Sequence, residues 1–433
     1  MSFPKIQIDK KVRKNIKTDI GLSLIHISEP TRPRLISYAV FCLKKKSISI
    51  FGVTGSVGSS TIELLRHRRE EFEVIALTCN KNIDLLLELS REFKPKFIAV
   101  SDENFFLDLK REAGSDFQCF GGKEGLKEIA NLYSDIVVAS IVGLAGLDPL
   151  LCSIKNSSVI ALANKECIVA AGSLITESAK KNNCQIIPVD SEHNAIFQIL
   201  DGKLKKDINE IFLTASGGPF HGFSEEQLTK VSPADAVRHP IWNMGKKISV
   251  DSATLMNKGL EIIEAHHLFG IENKKIRVII HKQSIIHGLT LMNNGALFGY
   301  FGKPSMLNPI DHALSWPDCK NNNIDPISIE DLNGLSVENA LDEDYKSLKL
   351  SRYALDRGGF YPIFLNASNE IAVKAFLSGQ IKFIDIPLVI EKVIEEIGHS
   401  GNKSLETMSG LEEIILADNE ARVKALEIIG LGF

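Results

Sequence analysis

An α/β fold that opens on a Rossmann-type dinucleotide domain with a parallel sheet is predicted by three features of the chain. Apolar runs of strand length alternate with helix-length segments over residues 47–189, the pattern of βαβ units. Gly52-x-x-Gly55-x-x-Gly58 joins the first such run to a helical stretch, as a dinucleotide turn requires. The pattern then changes twice, which predicts an α+β catalytic domain over residues 190–317 and a C-terminal helical bundle over 346–433. The polar stretch DCKNNNIDP marks a linker over 318–345.

In chain order, Ile48, Ile50 and Phe51 read as a buried strand, and Ser59 to His67 begins a helix. FEVIALT, KFIAVS, DIVVASI, SVIALAN and CQIIPVD read as the later strands of the first domain. EIFLTAS, IRVIIH and ALFGYFG supply strands to the second domain, and residues 248–265 open strand-like before taking helical spacing. The last domain is carried by helical patterns in YPIFLNASNEIAVKAFLSGQI, PLVIEKVIEEIGH and LEEIILADNEARVKALEII.

Hydrophobic residues make up 44% of the chain and charged residues 24%, as in a soluble globular protein. The longest apolar stretch, Ile136 to Leu147, is too short to cross a bilayer. Seven cysteines without a CxxC pair argue for a reducing compartment, and the expected location is the cytoplasm. Residues 1–46 stand apart, with 11 Lys or Arg against 3 Asp or Glu. LSLIHISEPTR (Leu22–Arg32) and ISYAVFCL (Ile36–Leu43) both match the translation of a transposase-type sequencing adaptor. Residues 22–46 are therefore read as translated adaptor, and 1–21 as a non-native extension. From Ser47 onward the acidic excess is 12, which disfavours nucleic-acid binding.

Four constellations carry chemistry. The glycine turn lets backbone approach a pyrophosphate at a helix N-terminus; the alternative is a tight turn without a ligand. At the end of the second strand, where an Asp or Glu would hold the ribose of NAD, the chain has Asn80, Lys81 and Asn82. A cation with amide donors suits the 2′-phosphate of NADP, unless Lys81 is simply a solvated loop lysine. Asp190 and Glu192, two apart at a strand end, can face one site and offer oxygen ligands suited to Mg²⁺ or Mn²⁺; a solvated acidic loop or helix cap is the plainer reading. On the following helix Glu261 could complete a three-carboxylate metal site, while Ser252, Asn257 and Lys258 offer donors to a phosphate. The plainer fate of Lys258 and Glu261 is an i,i+3 ion pair. Ser216 precedes two glycines whose amides could meet an anion, and His239 and Trp242 sit in a segment resembling a lid.

These motifs, together with GVTGSVGSST, ALANKE, PVDSEHNAIFQ, TASGGPF, MLNPIDHALSWP and LNASNEIAVKAFL, resemble the 1-deoxy-D-xylulose-5-phosphate reductoisomerase family over nearly the whole chain from Ser47. The resemblance implies NADPH and a divalent ion as cofactors, a small phosphorylated sugar as substrate and a homodimer as the assembly. It puts Thr54, Gly55, Ser56, Val57, Asn80, Lys81, Asn82, Asn164, Glu166 and Gly245 on the cofactor, and Asp190, Glu192 and Glu261 on the metal. Ser191, Glu192, Ser216, His239, Ser252, Asn257, Lys258, Glu261 and Lys165 fall to the substrate. Lys165, Glu192, His239, Lys258 and Glu261 carry the catalytic roles. Ile241, Asn80 and Lys282 depart from the family pattern without touching the metal ligands. The alternative function is a related NADP-dependent oxidoreductase acting on another phosphorylated sugar.

Overall fold

A computed structural model describes residues 45–203, 205–238, 241–242, 244–320, 324–398 and 410–432. The strands are β1 (Lys46–Phe51), β2 (Phe72–Cys79), β3 (Phe97–Val100), β4 (Gln118–Gly121), β5 (Ser134–Ala139), β6 (Ser157–Leu162), β7 (Gln185–Pro188), β8 (Ile208–Ala215), β9 (Ile276–Ile280), β10 (Ile286–Met292), β11 (Leu297–Phe301) and β12 (Glu338–Asn339). Through β7, the helices are α1 (Ser56–His67), α2 (Ile83–Phe93), α3 (Phe106–Ala113), α4 (Gly122–Ala130), α5 (Leu147–Lys155) and α6 (Lys165–Lys181). Beyond it come α7 (Ser191–Leu200), α8 (Glu225–Leu228), α9 (Pro233–Ala236), α10 (Lys246–Ala253), α11 (Met256–Phe269) and α12 (Leu307–Ser315). The chain closes with α13 (Lys346–Arg357), α14 (Tyr361–Leu377), α15 (Asp385–Gly398) and α16 (Leu411–Leu431).

β1 to β7 form one sheet in the order β4-β3-β2-β1-β5-β6-β7, with every pairing parallel. Such a sheet is covered on both faces, so its strands are apolar throughout; Ile48, Ile50, Leu77, Ile98 and Val138 are all fully buried. The strand order reverses between β1 and β5, which opens a crevice at their C-terminal ends. Two glycines make the turn at that crevice possible. Gly52 has φ +88°, and a Cβ on Gly58 would lie 2.5 Å from the Gly52 carbonyl oxygen and the Val53 Cα.

The second sheet runs β11-β10-β8-β9-β12 and is mixed, with β8 and β9 parallel and the other pairs antiparallel. Among the described residues no helix is long and apolar enough to cross a membrane.

Several sequence expectations need correction. Residues 246–253 are helical, not strand-like: α10 follows Gly245 and is separated from α11 by Leu255 at φ +58°. Short β4 and the Gly-containing β10 carry too little apolar alternation to stand out. Residues 318–345 are not a free linker, since β12 pairs with β9. The segment around α12 joins the core of the first sheet through Ile310, Ala313 and Leu314. Arg68, at the end of α1, fixes it by donating to Asp311 Oδ1 at 2.7 Å and Ser315 Oγ at 3.0 Å. The reading of residues 1–46 lies outside the described residues except at Lys45 and Lys46. Lys46 already pairs with Phe72, so the first strand begins one residue before Ser47.

Candidate active site

At the crevice, the β1–α1 turn brings Thr54 and Gly55 to the start of α1. Gly55 takes the N-cap position with an extended backbone and offers no side chain, so the first amides of α1 are open to an anion. At the end of β2, Asn82 caps α2 by accepting from the Leu85 amide at 3.2 Å. Asn80 Oδ1 accepts from the Ser101 hydroxyl at 2.9 Å, and Lys81 reaches outward with its ammonium 3.4 Å from Asp102.

Across the crevice three carboxylates meet. Asp190 caps α7, Glu192 sits in its first turn, and Glu261 lies fully buried on α11. One oxygen from each falls within 4.8 Å of the others. The strand alternation expected for Asp190 and Glu192 is not the reason, because a helix begins at Ser191. The cap and the first turn bring the pair together instead. Two ammonium groups bridge them. Lys165 Nζ lies 2.7 Å from Asp190 Oδ2 and 3.2 Å from Glu261 Oε1; Lys258 Nζ lies 2.6 Å from Glu192 Oε1 and 2.5 Å from Glu261 Oε2. The plainer i,i+3 pair of Lys258 and Glu261 therefore exists, but as part of a larger cluster.

The charges do not balance. Burial, with Asp190 and Glu192 nearby, raises the carboxyl of Glu261 despite both lysines. Burial also opposes ionisation of Asp190, yet Lys165 beside it keeps its carboxyl well below the usual range. Burial opposes both ammonium groups as well, and their carboxylate partners overcome it and raise them. A cluster of hard oxygens that leaves one carboxyl reluctant to ionise fits a divalent cation.

Sequence reading missed the layer behind these carboxylates. His193 is fully buried, with Nδ1 3.3 Å from both Asp190 Oδ1 and Glu264 Oε2 and Nε2 2.9 Å from the Glu261 carbonyl oxygen. Burial opposes charge on this ring, but Glu264 and Asp190 raise it to about 9. Burial lifts the Glu264 carboxyl to about 7. The available signal was spacing: His193 follows Asp190 by three, and Glu264 follows Glu261 by three.

A cavity of about 220 Å³ connects the two halves. Ser56 and Val57 line its nucleotide end; Lys165, Asp190, Ser191, Glu192, Lys258 and Glu261 line the other. Ser216, Ser252 and Asn257 also line it, with Trp242, Met244 and Gly245 from the segment before α10. The left-handed backbone at Leu255 lets the end of α10 and the start of α11 both present residues to this space. Asn257 bridges the cluster, accepting from Lys165 at 2.8 Å and donating to Glu261 at 2.5 Å. Ser216 Oγ accepts from the Gly218 amide at 3.2 Å, which holds the two-glycine turn against the cavity. His281, Ser284 and His287 line the cavity too and were not anticipated. Trp242 meets the His287 ring edge-on, with centroids 6.4 Å apart.

Thr54, Gly55, Asn80, Lys81, Asn82, Asn164 and Glu166 do not line this cavity. Asn164 caps α6 through the Cys167 amide and donates to the carbonyls of Ile141 and Gly143, so it shapes the loop after β5. Glu166 pairs with Lys247 at 3.0 Å; Lys247 also pairs with Asp251 at 2.8 Å, tying the start of α10 to α6. His239 lies outside the described residues.

A parallel sheet with an open helix N-terminus at its switch point, facing a carboxylate cluster across one cavity, is the arrangement of a nucleotide-binding enzyme with room for a divalent ion. Sequence profiles narrow the class. That of 1-deoxy-D-xylulose 5-phosphate reductoisomerase matches residues 48–172, and those of its C-terminal domains match 186–269 and 301–424. The chain is 43% identical over 372 residues to the reductoisomerase of Clostridium perfringens strain 13, covering 85% of this chain and 97% of that protein. It is 42% identical to that of Clostridium tetani, covering 86% and 97%. The solved reductoisomerase of Zymomonas mobilis in complex with NADPH superposes with a TM-score of 0.83 at 37% identity, covering 89% of this chain and 99% of that one. A reductoisomerase in complex with NADPH, fosmidomycin and magnesium gives 0.83 at 38%, covering 89% and 98%. The chain belongs to the 1-deoxy-D-xylulose 5-phosphate reductoisomerase family.

Proposed function

We propose that Asp190, Glu192 and Glu261 hold the divalent ion, and that Lys258, Asn257, Ser252 and Ser216 bind the substrate phosphate, with Ser191 and Lys165 beside them. The enzyme isomerises and reduces 1-deoxy-D-xylulose 5-phosphate to 2-C-methyl-D-erythritol 4-phosphate, using NADPH and Mg²⁺ or Mn²⁺, in non-mevalonate isoprenoid synthesis. The observation that carries the residue assignment is the convergence of three carboxylates on a cavity that also reaches the α1 turn.

The bound ion supplies Lewis-acid polarisation of the sugar carbonyl, and NADPH supplies the hydride. The chain does the rest. Thr54, Gly55, Ser56 and Val57 seat the pyrophosphate at the start of α1, while Asn80, Lys81 and Asn82 hold the adenosine phosphate. Asn164 and Glu166 shape the cofactor side through the loop and helix they anchor, and Gly245 closes on it from α10. Phosphate binding far from the reacting carbons supplies energy that orients them. Lys165, bonded to Asp190, Asn257 and Glu261, fixes the carboxylates and carries positive charge into the reacting region. Trp242 covers the cavity and excludes water. Residues 47–189 serve as the cofactor domain, 190–317 as the catalytic domain and 346–433 as a helical support.

The enzyme works in this reading as a homodimer, paired through the free edge of β11. That strand ends its sheet and exposes Leu297, Phe298 and Phe301, an apolar edge that a second copy would cover. Light scattering at micromolar concentration should return twice the chain mass, and a single-chain mass would overturn the pairing. The activity itself is tested by incubating the chain with the deoxyketose phosphate, NADPH and Mg²⁺. NMR should identify the branched methylerythritol phosphate, and excess EDTA should stop its formation. An unrearranged reduced sugar would point to a plain dehydrogenase instead.

A further inference from the structure

The strand after the adenosine-phosphate trio brings an opposing charge to it. Asp102 follows β3, which lies beside β2 in the sheet. Its backbone amide donates to the Asn80 carbonyl at 3.1 Å, and the neighbouring Ser101 amide donates to Cys79 at 2.9 Å. The Ser101 hydroxyl donates to the Asn80 side chain at 2.9 Å. The two backbone bonds fix the main chain of Asp102 beside Asn80. Its carboxylate oxygen Oδ2 lies 3.4 Å from the Lys81 ammonium, while Oδ1 accepts from the Asn104 amide at 3.1 Å.

We propose that Asp102 is a specificity-determining residue that competes with the cofactor's 2′-phosphate for Lys81 and so limits the preference for NADPH over NADH. The inference rests on the assignment of Lys81 to that phosphate. With Asp102 in place, Lys81 enters binding already partnered, so a dianionic phosphate must displace one carboxylate and then lie near it. A cofactor without that phosphate leaves the Lys81–Asp102 pair undisturbed. The penalty therefore falls on NADPH and NADP⁺ alone, and it favours release of the oxidised product. Salt screens it, because Lys81 is largely exposed.

Asp102 caps the single helical turn Glu103–Phe105, and Asp102→Asn separates the proposed role from that structural one, since Asn also serves as an N-cap and keeps the bond to Asn104. Dissociation constants for NADPH and NADH would be measured by nicotinamide fluorescence at low and high salt, alongside Lys81→Met and the double variant. Asp102→Asn should tighten NADPH about threefold or more at low salt, with NADH unchanged and the gain shrinking as salt rises. In the double variant the gain should largely disappear. A weakened or unchanged NADPH constant in Asp102→Asn, with Lys81→Met still selectively weakening NADPH, overturns the proposal and leaves the assignment of Lys81 standing. If Lys81→Met weakens both cofactors equally or neither, the assignment of Lys81 fails, and the proposal falls with it.

Discussion

Glu261→Gln should abolish turnover while leaving NADPH affinity within about twofold of the parent. Glu261 is the most buried of the three converging carboxylates, and it touches both Lys165 and Lys258. The amide keeps the shape of the side chain but removes an anionic group, so under the proposed assignment the ion would be held by two carboxylates in place of three. Loss of Lewis-acid stabilisation costs several kcal/mol, on the order of a thousandfold or more in kcat. The cofactor turn is built from β1 and α1, which Glu261 does not support, so fluorescence titration with NADPH should barely change. Both lysines keep a second carboxylate, Asp190 for Lys165 and Glu192 for Lys258, so the fold should survive. Retention of more than about a tenth of kcat, equivalent to ~1.4 kcal/mol, would sink the metal assignment.

The second large effect is expected at Lys258. Lys258→Met removes the charge proposed to bind the phosphate and should lower kcat/KM by roughly a thousandfold, a cost in the range of a lost charge-assisted contact at a buried site. It also exposes Glu192 and Glu261 to each other without the ammonium between them. Like charges at that distance destabilise a buried cluster, so a cation should now stabilise the fold more than it does in the parent. Thermal melts with and without Mg²⁺ read this directly. An equal Mg²⁺ increment in variant and parent would mean that Lys258 does not share the ion's ligands.

Much of this arrangement is legible in the chain because its cause is local. The glycine turn announces itself by spacing and Asp190 and Glu192 by standing two apart at a strand end, whereas Lys165 is reached only through the family resemblance. Periodicity misread the opening of residues 248–265 because Ile248 and Val250 alternate as they would in a strand. Tertiary contacts hold them as a helix, including the Lys247 ion pair to Glu166 and the Asn369 amide donating to Asp251 at 2.9 Å. His281, Ser284 and His287 were missed because they reach the cavity from β9, β10 and the turn between them. Nothing in their local sequence says that these strands flank β8. Burial hid Glu264 and His193. An acid and an imidazole near a helix face read as solvated until packing closes over them.

If the ion and the phosphate bind as proposed, the two lysines that bridge the carboxylates make them thermodynamic partners. Each ammonium now neutralises oxygens that the ion would claim, and each can leave them at low cost when an anion is there to receive it. Filling one site should therefore raise affinity at the other by the same factor, whichever fills first, since linkage between binding sites is reciprocal. Mg²⁺ titrations with and without saturating inorganic phosphate would measure that factor, and a value of one would mean that the lysines never change partners. With coupling of this kind, the enzyme holds its metal weakly between turnovers and firmly during them, so the substrate summons its own Lewis acid.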